Sequence, residues 1–182
     1  LMTMMYSMHK SGFWNLERQT NLLDGAAHFY DTYECMDGKY ISIGSIEPQF
    51  YSLLCEIAEL SEEDFGDQMK RDSWAQKKEL IKTVFLTKTR AEWCDLMEGT
   101  DVCFAPVLDM SEAPKHPHNI ARETFIELEG VTQPAPAPRF NRTENEITLP
   151  PAIAGEHTRE VLESIGLSED ELDRLVNDGS VA

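Results

Sequence analysis

Residues 28–49 read HFYDTYECMDGKYISIGSIEPQ: a strand, a turn, a second strand and a helix start in succession. The first seven, His28-Phe29-Tyr30-Asp31-Thr32-Tyr33-Glu34, mix aromatic and polar residues as a half-buried strand does, and residues 39–44 form a β-branched run of similar length. Asp37-Gly38 between them tolerates the positive φ of a tight turn, so the two runs predict a β-hairpin. Glu47-Pro48 then opens a helix, since proline is preset for the first turn and a carboxylate is favoured at the positive end of the helix dipole. Phe50, Leu53, Leu54 and Ile57 recur at helical spacing and predict an amphipathic helix to about Leu60.

Beyond this helix, Ser61 and Asp64 open a short acidic connector that ends at Gly66. Asp72 is the expected N-cap of a helix carrying Trp74, Leu80, Ile81, Val84 and Phe85. Thr89 with Glu92 forms a capping box for a helix that packs Trp93, Leu96 and Met97 and stops at Gly99. Residues 102–108 are a short apolar run, a strand or extended segment; residues 111–118 suggest a connection with one helical turn, and residues 122–128 another strand. Pro134, Pro136 and Pro138 make an extended stretch that needs a surface to lie against. Two short helices close the chain, residues 156–166 and residues 168–177, the second boxed by Ser168 and Glu171. At the other end, Met2, Met4, Met5 and Met8 would form one flexible stripe on a helix, and Leu1 in place of an initiator Met suggests an entry point inside a longer gene. The expected fold class is α+β: a small domain with a hairpin-containing sheet and several helices, then the extended Pro-rich segment and the two C-terminal helices.

Composition narrows the function. The chain has 182 residues, a size that supports one ordinary domain with a sizeable core or a compact domain plus a long tail. Its net charge of -17, from 33 acidic against 16 basic residues, argues against nucleic acid, because phosphate binding needs clustered cations. No apolar run is long enough to span a bilayer and the start does not read as a signal peptide, so no membrane partner and an intracellular location are expected. Four dispersed cysteines, Cys35, Cys55, Cys94 and Cys103, fit free thiols in a reducing compartment; no metal site is expected.

No complete catalytic set can be assembled from local spacing. Three places carry chemistry. Glu47 stands where an apolar strand meets an amphipathic helix; first-turn acids usually only complement the dipole, but a carboxylate fixed at a strand end can also orient an imidazole. Asn21-Leu22-Leu23-Asp24-Gly25-Ala26-Ala27 is a small-residue loop that is either a plain turn or a place of close backbone approach. His157, near a helix start, reads first as a capping or packing histidine.

Taken in order, Asn21-Leu22-Leu23-Asp24-Gly25, Asp37-Gly38-Lys39, Ile46-Glu47-Pro48-Gln49-Phe50-Tyr51, Glu92-Trp93-Cys94, Ala105-Pro106-Val107-Leu108, His116-Pro117-His118-Asn119 and Gly155-Glu156-His157-Thr158 resemble the C-terminal half of the family III CoA-transferase and racemase superfamily, most closely its α-methylacyl-CoA racemases. The resemblance runs from about Asn21 to the end. It implies interconversion of R and S 2-methylacyl-CoA thioesters by removal and return of the α proton, with a histidine and an aspartate of a Rossmann-like N-terminal half as acid and base. Neither of those residues is in this sequence, so the chain alone is expected to be inactive. Glu47 matches the glutamate that contacts the catalytic histidine. Leu23, Asp24, Tyr30 and Ile46 match the acyl side of the site, and Met4 and Met8 a methionine-rich surface for acyl chains. Acyl-CoA is then substrate and no cofactor is implied. The resemblance further implies an interlocked homodimer, with residues 1–20 the end of a linker helix from a large domain, residues 21–130 a small α+β domain and residues 131–182 returning to the large domain. The location expected is the cytoplasm of a bacterium, because Gly179-Ser180-Val181-Ala182 is not a peroxisomal address. Two other functions stay open: a family III CoA-transferase, acting through an aspartate nucleophile, and a non-catalytic dimerisation module.

Overall fold

The structure is a computed structural model that describes residues 1–147 and 149–181. It divides into two compact units, residues 1–109 and residues 110–182. The boundary leaves residues 110–130, grouped by sequence with the small domain, in the second unit. Ala182, the last residue of the terminal tetrapeptide, lies outside the described residues.

The first unit begins with α1 (Thr3–Lys10). Then comes the expected hairpin: β1 (Tyr30–Glu34) pairs antiparallel with β2 (Tyr40–Gly44) in the register Tyr30↔Gly44 to Glu34↔Tyr40. Only Gly38 of the Asp37-Gly38 pair takes positive φ, at 72°, while the Gly38 amide donates to the Cys35 carbonyl (3.0 Å) and the Cys35 amide to that of Lys39 (2.7 Å). The helices α2 (Pro48–Ile57), α3 (Glu62–Phe65), α4 (Trp74–Phe85) and α5 (Arg90–Met97) follow, and β3 (Phe104–Val107) returns to β2 as the third antiparallel strand. The sheet order β1-β2-β3 places β2 in the centre.

Period-two alternation gives this sheet two unlike faces. One buries Tyr33, Ile41 and Ile43 in a single core with Tyr51 and Leu54 of α2, Trp74, Ile81 and Phe85 of α4, and Trp93 and Met97 of α5. Each such side chain contributes roughly 1.5–3 kcal/mol by leaving water. The Phe85 ring lies edge-on to Trp93 at 5.2 Å, and the Trp93 indole donates to the Phe85 carbonyl at 2.9 Å, so the largest side chain of the core has its polar atom satisfied.

Several local expectations shift. In α2, Leu54 is buried as expected, but the seam runs through Tyr51 and on to Ala58 just past the helix, and Phe50, Leu53 and Ile57 flank it half-buried. The helix stops at Ile57 because Glu59 turns to φ 54°. Asp72 is not an N-cap: it sits inside a 3-10 turn, Arg71–Ser73, and α4 begins at Trp74 without a side-chain cap. The residues expected to be a bare connector form the one-turn α3, capped by Ser61, which accepts the Asp64 amide at 3.2 Å. In α5 the capping box is present, but Leu96 points outward and only Trp93 and Met97 are buried.

The second unit holds a 3-10 turn at Ala113–Lys115, the short α6 (Pro117–Ala121), the hairpin β4 (Phe125–Leu128) and β5 (Val131–Pro134), and α7 (Thr158–Ser164) and α8 (Glu169–Asn177). The extended stretch expected from Pro134 onward starts at the last residue of the second strand of this hairpin. Glu129 and Gly130 supply the two positive-φ residues, 53° and 75°, of its two-residue turn. Ser168 and Glu171 complete their box, and Leu172 is the buried residue of α8. His157 stands at the N-cap of α7 without a capping bond.

Candidate active site

The outer face of the three-stranded sheet is the floor of an open groove of about 580 Å³, a volume in the range of small-molecule sites. Thr32, Ser42, Gly44 and Ala105 line it, all small, so the floor is flat. Tyr30 crosses it, its ring edge 3.6 Å from where a Cβ on Gly44 would stand. Cys103 lines the groove at its β3 side, next to Phe104, which packs toward the core, and Leu23, Asp24 and Gly25 form a wall at the β1 side.

That wall is built by Asn21, which is 1% exposed. Its backbone amide donates to Asp24 Oδ1 at 2.7 Å, and its side-chain amide to Asp24 Oδ2 at 2.7 Å and to the Asn15 carbonyl at 3.0 Å. Its own Oδ1 accepts the Asn15 amide at 2.7 Å. Burial pushes the Asp24 carboxyl up, but the donors of Asn21, Thr20 and Gln19 outweigh it and hold the group below its ordinary range. Both Asp24 oxygens are therefore engaged within the loop, and Leu23, 43% exposed, is the side chain the loop presents.

At the far end of β2 the chain turns into α2 through Ser45, Ile46 and Glu47. Ser45 is fully buried; its amide donates to the Phe29 carbonyl at 3.0 Å and its hydroxyl to Val102 at 2.6 Å. The side-chain amide of Gln68 donates to the carbonyls of both Ser45 (3.0 Å) and Ile46 (2.9 Å), and the Gln68 carbonyl accepts the Trp74 indole at 2.8 Å. Glu47 then takes the N-cap position in extended conformation, its carbonyl accepting the Tyr51 amide at 3.0 Å. Its carboxylate makes no capping bond and is exposed. It does reach the field of Cys103, whose thiol is pushed up first by burial and then by the Glu47 charge.

Of the residues expected at a site, the structure brings Leu23, Asp24 and Tyr30 to one groove. Ile46 packs half-buried against the core beneath the strand end, and Glu47 follows it outside the groove lining. Met4, 64% exposed, and Met8, half-buried, lie on α1, which buries none of its residues, and neither lines the groove. Among the described residues no cluster of three metal-binding side chains exists. Asn21, Ser45 and Gln68, which fix the two ends of the site, were missed as individuals. A buried amide gives no periodic signal; Asn21 could have been found from its three-residue spacing to Asp24.

The architecture and the groove define a class. The chain belongs to CoA-transferase family III, whose family model matches residues 1–158. Among curated relatives it is 40% identical over 183 residues to the alpha-methylacyl-CoA racemase of Mus musculus, covering 98% of this chain and 47% of that protein. The Homo sapiens alpha-methylacyl-CoA racemase is 40% identical with the same coverage, and the human succinyl-CoA:glutarate CoA-transferase 26% identical over 75% of this chain and 33% of its own length. The chain thus spans about half the length (47%) of the racemases it matches. Among solved structures, Rv3272 of Mycobacterium tuberculosis in its orthorhombic form superposes with TM-score 0.61 at 18% identity, over 87% of this chain and 41% of that one.

Proposed function

We propose that this chain is the C-terminal part of an α-methylacyl-CoA racemase, and that the groove over the β1-β2-β3 face receives the acyl portion of a 2-methylacyl-CoA thioester. The observation that carries the reading is Glu47, which follows two carbonyls gripped by Gln68 and whose exposed carboxylate, making no capping bond, acts on the thiol of Cys103 in the groove lining. A carboxylate so placed can fix the tautomer of an imidazole and stabilise its cation, as a base that accepts and returns one proton requires. In this reading the imidazole and the second acid/base group come from outside this chain, so the 182 residues alone turn nothing over. Leu23, Asp24, Tyr30 and Ile46 belong to the acyl side, and Met4 and Met8 to a surface completed by the rest of the protein. The reading includes an interlocked homodimer in the cytoplasm; among the described residues no helix is long and apolar enough to cross a membrane.

Deuterium wash-in on the full-length protein tests this. In heavy water without a CoA acceptor, 2-methylacyl-CoA should gain an α deuteron and lose its stereochemistry. No exchange, together with CoA transfer to a free carboxylate, would overturn the racemase in favour of the transferase chemistry that the succinyl-CoA:glutarate CoA-transferase relatives carry in their name. Glu47→Gln should slow exchange by about tenfold or more, the worth of one hydrogen bond to a charged group, with the denaturation midpoint unchanged.

A further inference from the structure

The groove wall has two anchors, and only the first is internal to the loop. Asn21 fixes its beginning. Its end is held from α4: Lys78 Nζ donates to the Gly25 carbonyl and forms an ion pair with Asp31 Oδ2. The Lys78 and Asp31 side chains are 17% and 22% exposed, so the pair is largely shielded from water. Gly25 has φ 93°, and a Cβ there would stand 3.4 Å from Asp31 Oδ1, so the glycine packs directly against the carboxylate that Lys78 holds. Gly25 and Gln19 line both the acyl groove and the neighbouring depression that contains Lys78, which makes this strip of backbone the partition between the two.

We propose that Lys78 is a positioning residue for the groove: by tying the Gly25 carbonyl to Asp31 it sets how far Leu23 stands above the sheet, and so the width open to the acyl chain of a 2-methyl-branched thioester. This rests on the acyl reading of the groove. Leu23 lies between the two anchors and makes the only apolar projection of the Asn21–Gly25 wall into the groove among the described residues. Releasing one anchor lets that projection move while the core beneath, held by Ile81 and Phe85 on the same helix, keeps its packing. Lys78 also neutralises Asp31, which lines the groove, so position and charge must be separated experimentally.

The test uses full-length protein as wild type, Lys78→Met, Lys78→Arg and the double variant Lys78→Met/Asp31→Asn. Two quantities are read: Kd for a short and a long 2-methylacyl-CoA by calorimetry, and hydrogen exchange of the Asp24 and Ala26 amides, both bonded to the Asn21 carbonyl, against the Ala58 amide that follows α2 and bonds to the Leu54 carbonyl. Lys78→Met should weaken the long thioester relative to the short by about tenfold, the worth of roughly two methylene contacts, and speed exchange in the loop but not at Ala58. Lys78→Arg should restore both, and the double variant should keep the defect. An unchanged long-to-short ratio in Lys78→Met, or its recovery in the double variant, overturns positioning; the second result assigns the effect to the stray Asp31 charge. If wild type binds no acyl thioester while the loop amides still loosen in Lys78→Met, the acyl reading and the selectivity claim fall together, and the clamp alone survives.

Discussion

His28 offers a measurement that reports on the core beneath the groove without any substrate. It is fully buried, just before β1. The Tyr51 hydroxyl has one proton and donates it to the Phe65 carbonyl at 2.8 Å, so His28 Nε2, 2.8 Å from the same oxygen, must be the donor to it. Nδ1 then carries a lone pair with no partner, and protonation would create a buried N–H with no acceptor. Burial, helped by the nearby Lys77 ammonium, lowers the pKa from 6.5 to about 3. The unfolded chain therefore binds a proton between these values that the folded chain refuses, and the stability present above pH 6.5 is lost progressively as pH falls toward 3. From pH 7 to pH 5 the loss is roughly 2 kcal/mol, at about 1.4 kcal/mol per unit. Urea denaturation of the 182-residue chain at several pH values measures it, with His28→Gln as the control, since glutamine can still donate to Tyr51 but does not titrate. Wild type should lose about 2 kcal/mol more than the variant over that range. Equal losses would refute the reasoning and show that His28 opens to solvent at little cost.

Alkylation of Cys103 locates the Glu47 carboxylate: Glu47→Gln removes a negative charge that disfavours the thiolate, so iodoacetamide should react faster at a fixed pH near 8, and an unchanged rate would place Glu47 elsewhere. Asn21→Ala should destabilise the chain by about 1–3 kcal/mol through the donors and acceptors left unpaired, and by NMR titration the Asp24 carboxyl should rise toward its ordinary range. Gly25→Ala should cost about 1–2 kcal/mol in thermal unfolding, because φ 93° is a conformation L residues rarely adopt. Thr89→Ala should cost about 1 kcal/mol in the same assay by removing the box with Glu92.

The parts legible in the sequence were those governed by local rules. The β1-β2 hairpin announces itself through alternation and Gly38, and the α5 and α8 starts through paired capping residues, because each signal involves neighbours within a few positions. The site was legible only as isolated places. That Leu23 and Asp24 face the same groove as Tyr30 follows from Lys78 of α4 joining the Gly25 carbonyl to Asp31 of β1, a contact between residues some fifty positions apart that no periodicity encodes. Asp72 misled because an acid before a helix is the commonest cap, whereas the chain needed a 3-10 turn to aim the Trp74 indole at the Gln68 carbonyl. The Met4 and Met8 stripe has helical spacing, but spacing cannot say what, if anything, such a stripe touches.

Gln68 has a reach that its own neighbourhood does not suggest. One primary amide grips two successive carbonyls at the exit of β2, and its backbone in turn receives an indole from α4. The linker between α3 and α4 lines no part of the groove, yet it acts as the jig in which residue 47 is set. Trimming or lengthening that linker would leave the groove's contour intact and shift residue 47, so the setting of that carboxylate can be altered from a segment that lines no part of the groove.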